Sequence, residues 1–173
     1  MCLESLNGLD CEGCRDDLLH KRQEHTCTWF LTDERYQRWT EEDTPSILCV
    51  SGGPGCGKSV LESVISNELS NNATIRNDYL IAYFFCDDKD DRLRTAHAIL
   101  VNLLAQLLNQ ERDTLVHFLA DSEYDVKKGK TLWSIAMLWR VLGRIAKDTN
   151  IKRLCLIVDA LGTYKLLTQC TWV

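Results

Sequence analysis

The sequence is poor in the features that mark several classes of protein. It has only two prolines and nine glycines in 173 residues, so we expect no long flexible linker and no low-complexity stretch. No apolar run approaches the roughly 18 residues needed to span a bilayer. The net charge of −5 argues against the basic excess that nucleic-acid binding rewards. We therefore expect a partner that is neither a membrane nor a nucleic acid.

The first twenty residues lack the apolar core of a signal peptide. Acidic side chains interrupt them at Glu4, Asp10, Glu12, Asp16 and Asp17. We therefore expect a cytoplasmic protein, whose nine cysteines stay reduced because disulfides are rare in that compartment. Three cysteines lie in apolar segments and are predicted to be small buried hydrophobes: Cys49, Cys86 and Cys155. The CxxC pair of Cys11 and Cys14 has no second pair at a usual zinc-site interval, so we interpret it as an incidental surface pair, with a zinc site as the weaker alternative.

The order of the apolar segments predicts the fold class. Short apolar runs predict buried strands at residues 47–51, 79–86 and 154–158. Amphipathic spacing predicts helices at residues 58–70, 93–108, 113–120 and 131–147, and a short one at residues 32–39. Strands that alternate with helices indicate an α/β fold with a mostly parallel sheet and right-handed crossovers.

A complete phosphate-binding P-loop lies between the first predicted strand and the first strong helix. The pattern G-x-x-x-x-G-K-[ST] is filled by Gly52, Gly53, Pro54, Gly55, Cys56, Gly57, Lys58 and Ser59. Its glycines let successive N–H groups turn toward phosphate oxygens, and the following helix adds the positive end of its dipole. Lys58 is predicted to reach the β- and γ-phosphates, and Ser59 to ligate Mg²⁺. Because both the pattern and its strand-to-helix context match, a chance glycine turn is the weaker interpretation.

Asp159 ends the third predicted strand, about a hundred residues after the loop. A P-loop site needs an acid that holds the metal from the opposite side, and a strand-terminal aspartate at this distance is typical of Walker B. The alternative is an ordinary polar cap at the end of a strand. The two motifs support each other, so we predict Ser59 and Asp159 as the metal ligands.

These motifs and several flanking segments resemble the NACHT-type P-loop NTPases of the STAND class, in the branch common in fungi that includes NOD-like receptors. The likeness covers nearly the whole chain and includes CLESL at 2–6, TCTWFL at 26–31, YQRW at 36–39, YFFCDDKD at 83–90, AIL at 98–100, QLL at 106–108 and IVDAL at 157–161. The resemblance implies a three-layer P-loop sandwich at residues 45–173, after a helical lead-in at residues 1–44. It also implies ATP or GTP with Mg²⁺, and a signalling switch that forms homo-oligomers or engages other signalling proteins.

The sequence departs from this family pattern in two places. The Walker B box of the family continues with two acids, whereas here Gly162 and Thr163 follow, and neither carries a carboxylate that can act as a general base. Hydrolysis is therefore in doubt, and no catalytic residue is assigned. In the family, the strand after Walker B lies between the P-loop strand and the Walker B strand, and only residues 164–173 remain to form it. We therefore expect a sandwich that is incomplete at the C-terminal side.

Three functions fit these motifs. The leading one is a nucleotide-binding STAND module that acts through occupancy of the loop and not through fast turnover. The first alternative is a small P-loop phosphotransferase, although residues 60–80 offer no convincing lid. The second is a non-catalytic interaction fragment of a larger NACHT protein. Within the loop, we interpret Cys56 as a small residue that fits, with a redox or alkylation brake on nucleotide binding as the alternative hypothesis.

Overall fold

The computed structural model describes residues 10–42, 44–86, 93, 95–119 and 133–159. These ranges form a mixed α/β structure, as predicted. In chain order, its elements are α1 (Cys11–His20), α2 (Thr28–Leu31), α3 (Glu34–Glu41), α4 (Lys58–Asn71), α5 (Ala73–Asp78), β1 (Tyr79–Phe84), α6 (Ala96–Gln110), a 3₁₀ turn (Arg112–Thr114), α7 (Ile135–Ile145) and β2 (Arg153–Val158). Residues 115–119 are also helical. No helix within these ranges is long and apolar enough to cross a membrane.

The sheet consists of β1 and β2, which pair in parallel from Tyr79 opposite Arg153 to Phe84 opposite Val158. The pairing continues one residue further, because the Asp159 N–H donates to the Phe84 carbonyl at 3.0 Å. The predicted parallel pairing is therefore confirmed for these strands. The described ranges hold this two-stranded sheet and not the complete P-loop sandwich.

Helices cover both faces of β1. On one face, Leu80, Ala82 and Phe84 belong to an apolar cluster with the inward side chains of α6 and α7. On the other face, Ile81 and Cys155 belong to a second cluster with Phe30, Tyr36, Leu61, Ile65 and Leu69. The lack of polar alternation in β1 predicted this burial on both sides.

The outer edge of β1 is sealed by two glutamines from α6. Gln106 accepts from the Tyr83 N–H at 3.1 Å and donates to its carbonyl at 2.8 Å. Gln110, one helical turn later, accepts from the Ile81 N–H at 3.1 Å and donates to its carbonyl at 2.7 Å. These side-chain amides satisfy backbone groups that an edge strand otherwise leaves unpaired.

The prediction of a strand at residues 47–51 is wrong. This segment has no regular secondary structure and lies outside the sheet. Leu48 and Val50 pack against the cluster of α3 and α4, whereas Ile47 is 75% exposed and Cys49 is exposed too. The apolar side chains on one side of the segment pack against the core. No described strand forms the backbone hydrogen bonds that would make the segment part of a sheet. The predicted burial of Cys49 is therefore wrong, while that of Cys155 is confirmed.

Helix starts differ from the predictions where a capping side chain sets them. The helix predicted from residue 93 begins after Thr95, whose hydroxyl accepts from the Ala98 N–H at 3.0 Å. The helix predicted from residue 131 begins after Ser134, which caps the Met137 N–H at 3.3 Å. The helix predicted at residues 58–70 is confirmed as α4. Capping fixes these starts because it satisfies N–H groups that have no partner within the helix.

Candidate functional site

The predicted phosphate-binding loop is an exposed turn that ends where α4 begins. Residues 52–57 are all exposed, and Gly55 and Gly57 have φ of +73° and +87°, a backbone region that glycine adopts without steric cost. A Cβ added at Gly53, Gly55 or Gly57 would meet no atom within 4 Å. At Gly52 it would lie 2.7 Å from the Cys56 sulfur. A side chain at Gly52 would therefore require the Cys56 sulfur to move, while the space beside the other glycines is open.

The N-terminus of α4 carries no capping side chain. Gly57 occupies the cap position, and no acidic residue lies in the first turn. The first internal bond of the helix runs from the Leu61 N–H to the Gly57 carbonyl at 2.9 Å. The N–H groups of the first turn, together with the positive end of the helix dipole, therefore face the loop as an anion-binding feature.

Lys58 folds its ammonium group back onto the loop. Its Nζ donates to the carbonyls of Gly52 and Gly53 at 2.9 Å each and lies 3.9 Å from the Cys56 sulfur. These bonds hold the positive charge beside the exposed glycines. A phosphate group could replace both carbonyls as the acceptor, because an anionic oxygen forms a stronger bond with an ammonium group than a neutral carbonyl does.

Asp159 directly follows β2 and is only 3% exposed. Its backbone N–H is held by Phe84, and its carboxylate has no hydrogen bond with any residue in the described ranges. The fold brings this carboxylate close enough to α4 for its charge to act on Glu62. Ser59, the other predicted metal ligand, is half-buried at the start of the same helix.

Glu62 is a site residue that the sequence interpretation missed. It lies on α4 one turn after Lys58, and its Oε2 is buried without a hydrogen-bond partner in the described structure. Burial, and after it the Asp159 carboxylate, raise the pKa of Glu62 to about 8, although the Lys58 charge acts in the opposite direction. Its spacing from Lys58 and Ser59 puts it on the same side of the helix. This spacing is the feature of the sequence from which Glu62 could have been identified.

Several predicted features lie outside the described residues or apart from this site. Gly162, Thr163 and residues 164–173 are outside the described ranges. At the N-terminus, burial raises the pKa of the Cys11 thiol to about 12, with Cys14 as a further cause. Within the described ranges, no three His, Cys, Asp or Glu side chains are grouped in a way that could hold a metal ion.

Comparison with known proteins places this chain in a family. The family described as Nephrocystin 3, N-terminal, matches residues 25–165, well over half of the sequence. The chain belongs to this family. It is also similar to the vegetative incompatibility protein HET-E-1 of Podospora anserina, with 29% identity over 136 residues, which are 77% of this chain and 10% of that protein. No solved structure matches.

These findings confirm the resemblance to fungal NACHT-type STAND proteins. The chain spans about a tenth of the length of HET-E-1, so the match concerns one region of a much longer relative. The family match, at residues 25–165, contains the loop, β1, β2 and Asp159.

Proposed function

We propose that this chain is the nucleotide-binding module of a STAND-type switch and takes ATP, in preference to GTP, together with Mg²⁺. The observation that carries the proposal is the loop at residues 52–57, which is exposed and leads into an uncapped helix N-terminus. Lys58 lies beside it with its ammonium on two loop carbonyls. Backbone donors, a helix dipole and a lysine around open space suit a phosphate chain.

The phosphate-binding residues in this proposal are Gly52, Gly53, Pro54, Gly55, Cys56, Gly57, Lys58 and Ser59. Loop N–H groups would donate to phosphate oxygens, and Lys58 would exchange its carbonyl acceptors for the β- and γ-phosphates. That exchange replaces neutral acceptors with charged ones and is therefore favourable. Binding of the phosphates would depend mainly on backbone N–H groups, so it does not require the acids that are missing at residues 162 and 163.

The donors present also fit a magnesium ion. The Ser59 hydroxyl and the Asp159 carboxylate would hold it, since Mg²⁺ prefers hard oxygen ligands and commonly takes one or two carboxylates with substrate phosphates. The buried Glu62 oxygen without a partner is an acceptor that a cation can satisfy. When bound, Mg²⁺ would offset phosphate charge, while Asp159 orients it from the end of β2.

We further propose that occupancy, and not rapid turnover, is the output of the module. Fast hydrolysis needs a carboxylate or equivalent base that activates water, and Gly162 and Thr163 cannot supply one. HET-E-1 is a vegetative incompatibility protein. By analogy, the nucleotide state of this chain would control contact with further copies or with other signalling proteins, and we propose the cytoplasm as its location.

The test combines binding with turnover. Calorimetry of Mg-ATP with the wild type should give one site, and Lys58→Ala should weaken it by about 10- to 100-fold, the range expected for one charge-assisted contact. Lys147→Ala, which changes an exposed lysine just beyond α7, should bind like the wild type. Negligible hydrolysis with tight binding supports the switch; phosphate transfer to a small acceptor would indicate a phosphotransferase instead. Absence of binding would leave only an interaction fragment.

A further inference from the structure

Glu62 occupies an unusual position on α4, the helix that follows the phosphate-binding loop (the loop helix). Most of the neighbouring inward positions of α4 are apolar and buried in the core: Leu61, Val64, Ile65 and Leu69. Glu68, the other acid of the helix, is exposed. Glu62 instead lies one turn from Lys58, on the side of the helix that faces the loop and the end of β2. Burial of an ionisable side chain there costs free energy of desolvation, which other interactions of the fold must offset.

The Glu62 carboxyl lacks a hydrogen-bond partner in the described structure. Its Oε2 is shielded from solvent and accepts no hydrogen bond, an arrangement that native proteins rarely leave unexplained. Lys58 acts on Glu62 through its charge, but its ammonium hydrogen bonds go to Gly52 and Gly53. The nearby lysine therefore does not satisfy the buried oxygen.

A second carboxylate meets Glu62 from a distant part of the chain. Asp159 is 3% exposed, has no described hydrogen-bond partner for its carboxylate, and interacts unfavourably with Glu62. Two carboxyl groups from different elements therefore lie close together, and the Glu62 oxygen among them is shielded without a hydrogen-bond partner. A divalent ion can satisfy both, because it offers two charges to oxygen ligands at once.

We propose that Glu62 is a further magnesium-binding residue, which joins Ser59 and Asp159 and supplies from the loop helix a second carboxylate for the ion. The inference rests on the proposed function, because Glu62 would complete the magnesium site that Ser59 and Asp159 form there. It gives Glu62 a measurable role: Glu62 sets the affinity for the cation and leaves metal-free nucleotide binding to the loop.

The experiment separates the cation from the nucleotide. A fluorescent ATP analogue is titrated into the protein in EDTA, and Mg²⁺ is then added to find its half-saturating concentration. Glu62→Gln keeps the shape of the side chain and removes the carboxylate that would bind the ion. We expect unchanged affinity in EDTA and a half-saturating Mg²⁺ concentration that rises about 10- to 100-fold, the range found when groups around a metal are removed. The control, Glu68→Gln, should match the wild type, and circular dichroism checks that both variants fold.

A second measurement tests the metal role of Glu62 without nucleotide. Binding of Mn²⁺ alone is followed by electron paramagnetic resonance in the wild type and in Glu62→Gln. If nucleotide binds and the half-saturating Mg²⁺ concentration is the same in the wild type and in Glu62→Gln, the role proposed for Glu62 is wrong and the proposed function stands. If nucleotide does not bind but Mn²⁺ binds in a Glu62-dependent way, the proposed function is wrong and the metal role of Glu62 survives. If neither ligand binds, both are overturned.

Discussion

The two halves of the candidate site differ in how they are built. The phosphate half, residues 52–59, is contiguous in sequence, and its loop is fully exposed. The acid half, Glu62 and Asp159, joins α4 to the end of β2, and both carboxyl groups are largely buried. The phosphate half therefore depends on local backbone geometry, while the acid half depends on the sheet and on charge balance. Changes that damage one half should leave the other intact.

The largest effect should come from Gly57→Val, which attacks the phosphate half. Gly57 has φ of +87°, a region that costs a β-branched residue about 2 kcal/mol. We expect that loss in the free energy of unfolding, and nucleotide affinity reduced by about 100-fold or more because the loop amides lose their directions. Urea unfolding and calorimetry measure the two effects.

Gly143→Ala is the matched control, since Gly143 lies within α7 and an added Cβ there meets nothing within 4 Å. Alanine should stabilise the helix by up to about 1 kcal/mol and leave nucleotide affinity unchanged. Equal nucleotide binding by Gly57→Val and the wild type would contradict the assigned role of the loop.

The next effect concerns the acid half and pH. The pKa of Glu62 is about 8 in the folded chain, raised above its ordinary value of 4.5. A group with a raised pKa contributes stability that is fully present below its ordinary value and is lost as pH rises through the folded value. Relative to Glu62→Gln, the metal-free wild type should therefore lose on the order of 2–4 kcal/mol between about pH 4.5 and pH 8.

Urea unfolding in EDTA at several pH values measures this loss, with Glu68→Gln as the control for an exposed acid on the same helix. Parallel pH profiles for the wild type and Glu62→Gln would show that the Glu62 carboxyl is not buried as described. The comparison between an exposed and a buried half would then fail.

A smaller effect should follow from Gln106→Leu, which tests the support behind the acid half. Leucine keeps the approximate size of the side chain but leaves the Tyr83 N–H and carbonyl without the partners that Gln106 gives them. We expect a loss of about 2 kcal/mol in the free energy of unfolding, with ATP affinity in EDTA unchanged. Gln37→Leu, at an exposed position of α3, should cost far less. A loss of nucleotide affinity without a loss of stability would contradict the separation of the two halves.

The smallest effect concerns Cys56 in the phosphate half. Its sulfur lies in the exposed loop, 3.9 Å from the Lys58 ammonium, so bound Mg-ATP should slow its alkylation by iodoacetamide about tenfold, which corresponds to ~1.4 kcal/mol. Cys49 is exposed but outside the loop and serves as an internal control when modification is followed by mass spectrometry. An equal rate of Cys56 alkylation with and without nucleotide would contradict the hypothesis that alkylation of Cys56 inhibits nucleotide binding.

The same contrast explains what the sequence could predict. The loop and α4 were predictable because glycine spacing, the lysine and the amphipathic pattern are all local signals. β1 and β2 were predictable because each is a short apolar run, and their parallel pairing followed from the helices between them. The fold class was therefore within reach of the sequence.

Features set by distant contacts were not predictable in the same way. An apolar run at residues 47–51 indicates a strand, but a strand needs a hydrogen-bonded neighbour, and the described structure provides none. Glu62 carried only a weak local signal, and its importance depends on Asp159, which is far away in sequence. Gln106 and Gln110 likewise look like ordinary helix residues until β1 is placed beside them.

If the phosphate half binds nucleotide without the acid half, ATP affinity in EDTA should depend on Lys58 and not on Asp159. Calorimetry would compare the wild type, Lys58→Ala and Asp159→Asn without a divalent ion. We expect Asp159→Asn to bind ATP like the wild type and Lys58→Ala to bind it about 10- to 100-fold more weakly. A wild type that does not bind ATP, or two variants weakened equally, would contradict this expectation.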